Sequence, residues 1–217
     1  SCVEQAGFGR CDWFALQDLA PLLKAVLDVD GSPVDFRIHA VLREALLLEA
    51  ARRLDSLDCA SLRAGALARM THTGDYSRAA GTLWAACTGD EVSEWCENHG
   101  MSLLHQCGSS TVERCLRKIP PMTLSSSARL LLLRSATMRE QERRDEALTH
   151  AKLAQRIAEA DADFETQARA LLFEVRLAID NADLPMAGAA LNELSGPLRA
   201  NLSASADCLF LSYAALL

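Results

Sequence analysis

RRDEALTHAKLAQRIAEA (143–160) is followed, after a break of two residues, by DFETQARALLFEVRLAID (163–180). Each stretch is long enough for several helical turns and is rich in Ala and Leu. The break is too short for anything but a reversal, so the spacing predicts an antiparallel helix hairpin. The same pattern continues on both sides. SARLLLLRSATMREQ comes before it, and LPMAGAALNEL and a last helix from about Ser203 come after.

Upstream, the breaks are Gly–Asp pairs. Gly74–Asp75 ends one helix on Gly and opens DYSRAAGTLWAAC on Asp, and Gly89–Asp90 repeats the device before DEVSEWCENHGMSLLHQC. Asp58 is placed to cap DCASLRAGALARM, and Ser109 or Ser110 to cap STVERCLRKI. That helix stops at Pro120–Pro121, and Ser125 to Ser127 open the next one.

Small residues recur early in the second helix of a pair: Ala79 in SRAAGTL, Ala147 in DEALTHA and Ala187 in PMAGAAL. The separations are 147 − 79 = 68, twice 34, and 187 − 147 = 40. A period near 34–40 suggests a tetratricopeptide-like stack in which alanine lets paired helices approach closely. An irregular helical bundle is the other arrangement the pattern allows.

Toward the N-terminus the pattern differs. LQDLAPLLKAVL (16–27) has helical spacing and DVDG is turn chemistry. SPVDFRI alternates as a short strand with Val34, Phe36 and Ile38 on one face. HAVLREALLLEAARRL then reads as a helix ending in two arginines. Helix, turn, strand, helix is the tail of a winged-helix unit, or an accidental hairpin before a helical domain. The expected organisation is therefore a winged-helix remnant with its linking helix over 1–57 and a helical-repeat region over 58–217. The fold class is all-α.

Composition narrows the function. The chain has 217 residues, half of them hydrophobic and only 5% aromatic, and a net charge of −7. That balance argues against a nucleic-acid-binding surface across the chain as a whole. No apolar run is long enough to span a membrane, and the start SCVEQAGFGR has no signal-peptide core. Cytoplasmic placement follows as an expectation. The eight cysteines form no CxxC pair, so they read as reduced, small apolar residues. His99 and His105, with Glu94, Cys96 and Glu97 nearby, do not share one helix face as a metal set would. There is no GxSxG elbow and no GxxxxGK[ST] phosphate loop, so no catalytic residue is assigned and no enzyme is expected. Trp84 and Trp95 flank the Gly89–Asp90 break as core residues locking hairpins together, or as a stacking platform for a small effector. Arg129, Arg134 and Arg139 recur on one Leu-rich helix, as surface charges or as the wall of a groove for an anionic ligand or a partner. QERRDEAL (141–148) reads as a solvated turn.

The order FRIHAVLREALLLEAARRL, GDYSRAAGTLWAACTGD, CLRKIPP and ARLLLLRS resembles the large MalT-like transcriptional regulators of the LuxR group, over about residues 16 to 180. Ala40 and Cys115 stand where that family usually has Pro and Trp. The resemblance implies a middle fragment of a signal-transduction ATPase: the end of its winged helix and its effector-sensing repeats, without the nucleotide-binding and DNA-binding domains. It implies a small-molecule or protein effector, contact with the regulator's own nucleotide-binding domain and possible oligomerisation in the intact protein. It implies no direct DNA binding, no metal and no cofactor in the fragment, and ATP or ADP only in the whole regulator. His39, at the start of the winged-helix helix, is where related switches contact ADP; a capping or packing histidine is the alternative. The other reading of the whole is a scaffold of repeats that recruits a protein and senses no small molecule.

Overall fold

The computed structural model describes residues 56–201 and 204–216. His39, the expected helix over 16–27, the expected strand over 32–38 and all but the last two residues of the expected winged-helix remnant lie outside the described residues. The chain divides into two compact units, Ser1–Gly65 and Ala66–Leu217. The second unit holds all of the described helices apart from the start of the first one.

Among the described residues there are ten α-helices and no strand: α1 (Ser56–His72), α2 (Tyr76–Ala86), α3 (Gly89–Cys107), α4 (Ser109–Leu116), α5 (Pro121–Ser126), α6 (Ala128–Glu140), α7 (Arg144–Ala160), α8 (Phe164–Asp180), α9 (Leu184–Leu194) and α10 (Ala204–Leu216), with a 3-10 turn over Pro197–Asn201 between the last two. The fold is all-α, as the sequence predicts. Helices pack in chain order, α6 on α7, α7 on α8 and α8 on α9. The first helices of successive hairpins also touch, α3 on α6, α6 on α8 and α8 on α10. That double adjacency is the arrangement of a hairpin stack.

One turn is used again and again. After α6, α7 and α8 the chain reverses in three residues, with Glu142 (φ 61°), Ala162 (φ 54°) and Ala182 (φ 57°) in the left-handed region. The following amide, of Arg143, Asp163 or Asp183, donates five residues back to the carbonyl of Met138, Ala158 or Ala178 at 2.8–3.0 Å. The left-handed residue itself donates three residues back. This is the Schellman closure, which satisfies carbonyls left over at a helix end. The turn after α1 is the same, with Gly74 at φ 72° and the Asp75 amide donating to Met70 at 2.8 Å. Asp75, Asp163 and Asp183 then cap the next helix, each accepting from the amide three residues on. Only Gly74 has the residue type this geometry favours. Ala162→Gly and Ala182→Gly should each stabilise the chain by up to about 1 kcal/mol, the left-handed strain relieved less the entropy glycine loses on folding. Thermal melts of the single variants check this, and a lowered Tm in both would refute the strain argument.

The register of small residues has a physical basis. Ala79, Ala147 and Ala187 are each the fourth residue of a second helix, their amides bonded to the carbonyls of Asp75, Arg143 and Asp183, and all three are fully buried. In α7 the buried stripe continues through Ala151, Ala154 and Ala158. The regular part is residues 128–194. Between Ala79 and Ala147 the stack is irregular: α3 runs into α4 through Gly108 alone (φ 78°), and the short α5 follows, a helix absent from the sequence reading.

Several caps differ from expectation. Asp58 lies inside α1. The second Gly–Asp break is capped by Thr88, in a capping box with Glu91. Gly89 is already helical there. A Cβ on it would fall 2.7 Å from the Lys118 carbonyl oxygen, so glycine serves close approach and not helix termination. Neither Ser109 nor Ser110 caps α4, which starts directly from Gly108. Ser127 does cap α6 and also donates to Glu97 on α3 at 2.6 Å. Gly100 lets α3 meet α6: a Cβ there would lie 2.3 Å from a Leu133 methyl.

The two tryptophans part company. Trp95 is 8% exposed, donates from Nε1 to Thr71 at 3.2 Å and packs its ring at a tilt against Tyr76 and His99, tying α1, α2 and α3 together. Trp84 is 46% exposed, with Arg114 over its ring at 5.6 Å, so it locks no hairpin. The end of α2 is held instead by Lys118, whose Nζ donates to the carbonyls of Leu83 and Trp84 at 3.1 and 2.7 Å.

Candidate functional site

Helix α6 separates two recesses. Its residues 129, 132, 136 and 139 face one, and 131, 134 and 138 face the other. This follows from helical period, since positions two apart point about 200° from each other.

The first recess is a groove of about 390 Å³ along the first helices, α3, α6, α8 and α10. Its floor is apolar, with Met101, Leu132, Leu172, Phe173 and Leu209, and its rim carries three arginines, Arg139, Arg169 and Arg176, with His105 and one acid, Glu140. A smaller recess of about 200 Å³ shares Met101, Leu132 and Arg169 and extends the groove to Arg129. Met101 and Leu209 are exposed.

Two of the arginines picked out by sequence spacing are structural ties here. Arg129 reaches Asp163 at the start of α8 at 3.5 Å, and Arg139 reaches Asp180 at its end at 2.7 Å. Both bridges join α6 to the next first helix. As partly exposed pairs each contributes up to about 1 kcal/mol. Burial pushes the Asp163 carboxyl up, but the Thr166 hydroxyl and amide, followed by Arg129, outweigh it and hold the group below its ordinary value. Arg169 pairs with Glu165 on its own helix at 2.7 Å.

The second recess is a cleft of about 380 Å³ between α4–α5 and α6–α7, holding the third arginine of the series, Arg134, together with His150. The sequence reading did not single out His150, which looks like any polar position on an amphipathic helix.

Cys87, Cys96 and Cys115 are buried free thiols, and burial pushes the Cys96 and Cys115 thiols up, so both stay protonated. Cys107 is half-buried and Cys208 exposed, while Cys2 and Cys11 lie outside the described residues. His99 packs against Trp95 and His105 lines the groove, so the two are not brought together. Among the described residues no group of three or more His, Cys, Asp or Glu is placed to hold a metal ion, and no helix is long and apolar enough to cross a membrane.

No family model, curated protein or solved structure matches the chain. The functional reading therefore rests on the recesses and their chemistry.

Proposed function

We propose that the helical stack is a non-catalytic, effector-sensing region of a MalT-like transcriptional activator of the LuxR group. The observation that carries this reading is the groove, with an apolar floor and an arginine rim, laid across the first helices of successive hairpins. A ligand seated there touches α3, α6, α8 and α10 at once. It favours whichever arrangement of hairpins fits it best and shifts the population of states without chemistry. In the intact regulator that shift releases the nucleotide-binding domain, whose ADP His39 contacts, and allows oligomerisation.

A second reading is favoured by one feature. Met101 and Leu209 are exposed apolar side chains on the groove, and such anchors also suit a bound peptide, so the stack serves as a protein-recruiting scaffold.

The readings separate in two measurements. A sensor is stabilised by a small molecule, by about 2.7 kcal/mol at a hundredfold excess over Kd, whereas a scaffold binds peptides and is not stabilised by small molecules. In the intact regulator, Met101→Asp combined with Leu209→Asp should abolish the response to effector. Both sites are exposed, so the melting of the isolated chain should move by no more than about 0.5 kcal/mol per site. A regulator that still responds normally with both substitutions would show that the groove is not the sensing surface.

A further inference from the structure

The cleft on the other face of α6 is a different kind of recess from the groove, and its charges can be sorted one by one. Its volume, about 380 Å³, falls in the range of small-molecule sites, roughly 300–1,000 Å³. Leu116, Leu124, Leu131 and Leu153 give it an apolar floor. Around the floor stand one acid, Glu113, and four basic side chains, Arg117, Arg134, Arg143 and His150.

Most of these are already committed. Arg117 holds one oxygen of Glu113 at 2.7 Å and Gln141 donates to the other at 3.0 Å, which keeps that carboxyl ionised below its ordinary range. Arg143 forks onto both oxygens of Glu146. Two groups are left. Arg134, half-buried on α6, has no hydrogen bond or ion pair to any described residue. His150, on α7, has its Nδ1 buried without a partner. A guanidinium that keeps contact with solvent and a ring nitrogen buried without a partner thus line one leucine-floored cleft, and the buried nitrogen is costly as it stands.

We propose that this cleft binds a small amphiphilic carboxylate, with its carboxylate on Arg134 and His150 and its apolar body on Leu116, Leu124 and Leu131. A carboxylate matches the planar fork of an arginine and accepts from a protonated ring nitrogen at the same time. A phosphate ester fits less well. It brings up to two charges to a cleft with one uncommitted arginine and an ionised Glu113, and its head group gains nothing from the leucine floor. The site makes no use of the groove, so it stands or falls separately from the function proposed above.

Binding is coupled to a proton. Burial holds the His150 ring below its ordinary value, Arg134 and Arg143 push the same way and Glu146 opposes them. Glu113 on α4 and Arg117 just after it face the cleft as a neutralised pair. A bound carboxylate adds a negative charge beside the ring, so His150 takes up a proton on binding. Affinity therefore falls as pH rises from about 6 to about 8, the range in which histidine changes charge.

The probe is sodium octanoate, titrated calorimetrically into the 217-residue chain, with 1-octanol as the uncharged control and acetate as the control without an apolar body. Octanoate should bind at least about tenfold more tightly than either, the scale of one charge-assisted hydrogen bond. The His150 ring resonance should move toward its imidazolium position as octanoate is added. Arg134→Gln should weaken octanoate by at least about tenfold, while Arg176→Gln, on the groove, should leave it unchanged. The proposal is overturned if octanoate does not bind, if octanol binds as well, if the His150 resonance does not move in the parent chain, or if Arg134→Gln binds undiminished. The resonance is read on the unsubstituted protein, so the test holds even if a variant folds poorly.

Discussion

At pH 8 the Glu174→Gln chain should be about 2–3 kcal/mol more stable than the parent, and the two should converge as pH is lowered toward 4.5. Glu174 lies on α8, is 6% exposed, and has one carboxyl oxygen buried with no hydrogen-bond partner. Burial pushes its pKa up from 4.5 to about 7; Lys152 on α7 pulls it down a little and Glu193 on α9 pushes it up. The folded value is above the unfolded one, so the folded chain binds the proton more tightly. The stability this contributes is fully present below pH 4.5 and is lost as pH rises through about 7. At about 1.4 kcal/mol per pH unit the rise from 4.5 to about 7 caps the gain at about 3.5 kcal/mol. Glutamine cannot ionise and removes the loss. The groups held low, Glu113, Glu146 and Asp163, act in the opposite sense and at lower pH. They are common to both chains and cancel in the difference. Denaturant titrations of both proteins between pH 4.5 and 8 provide the check. A constant offset, or none, would mean that Glu174 is charged and accommodated in the fold.

Ala147→Leu should destabilise the chain by about 1–3 kcal/mol, the cost of overpacking a filled site. Ala147 is fully buried on α7 in a cluster with Met138 of α6 and Leu177 of α8, and its carbonyl accepts a hydrogen bond from Ser135, itself fully buried on α6. A leucine there has to push the two helices apart or leave its rotamer well, and pushing them apart breaks the Ser135 bond. For a chain of this size each kcal/mol lowers Tm by about 2–4 °C. Thr149→Leu, two residues on and exposed, serves as the control and should stay within about 0.5 kcal/mol. If the two variants melt together, the close-approach register of Ala79, Ala147 and Ala187 is wrong.

That register is the part of the fold most legible in the sequence, because it depends on local periodicity and on residue size. The turn at Gly74–Asp75 is legible for the same reason, since glycine advertises a positive φ. The equivalent turns at Ala162 and Ala182 are not, because alanine in that conformation has no compositional signature. Gly89 and Gly100 are explained by a carbonyl and a leucine from other helices, so no local rule could have assigned them their roles. The sites divide in the same way. A row of arginines on α6 is visible by spacing. Which one lacks a partner is decided by Asp163 and Asp180, 34 and 41 residues from the arginines they bind. His150 and Glu174 are ordinary polar letters until the helices that cover them are in place.

The recurring turn has a consequence for how such a chain can grow. Residue 142 and residue 182 leave their helices in the same backbone conformation, and the amides after them close the same ring. The segment 143–182 therefore begins and ends on matching geometry, 182 − 143 + 1 = 40 residues holding one complete α7 and one complete α8. An in-frame tandem duplication of that segment would join copies through a reversal the chain already makes four times, with no new linker to evolve. Length, in this architecture, is a quantity that recombination can change in whole modules.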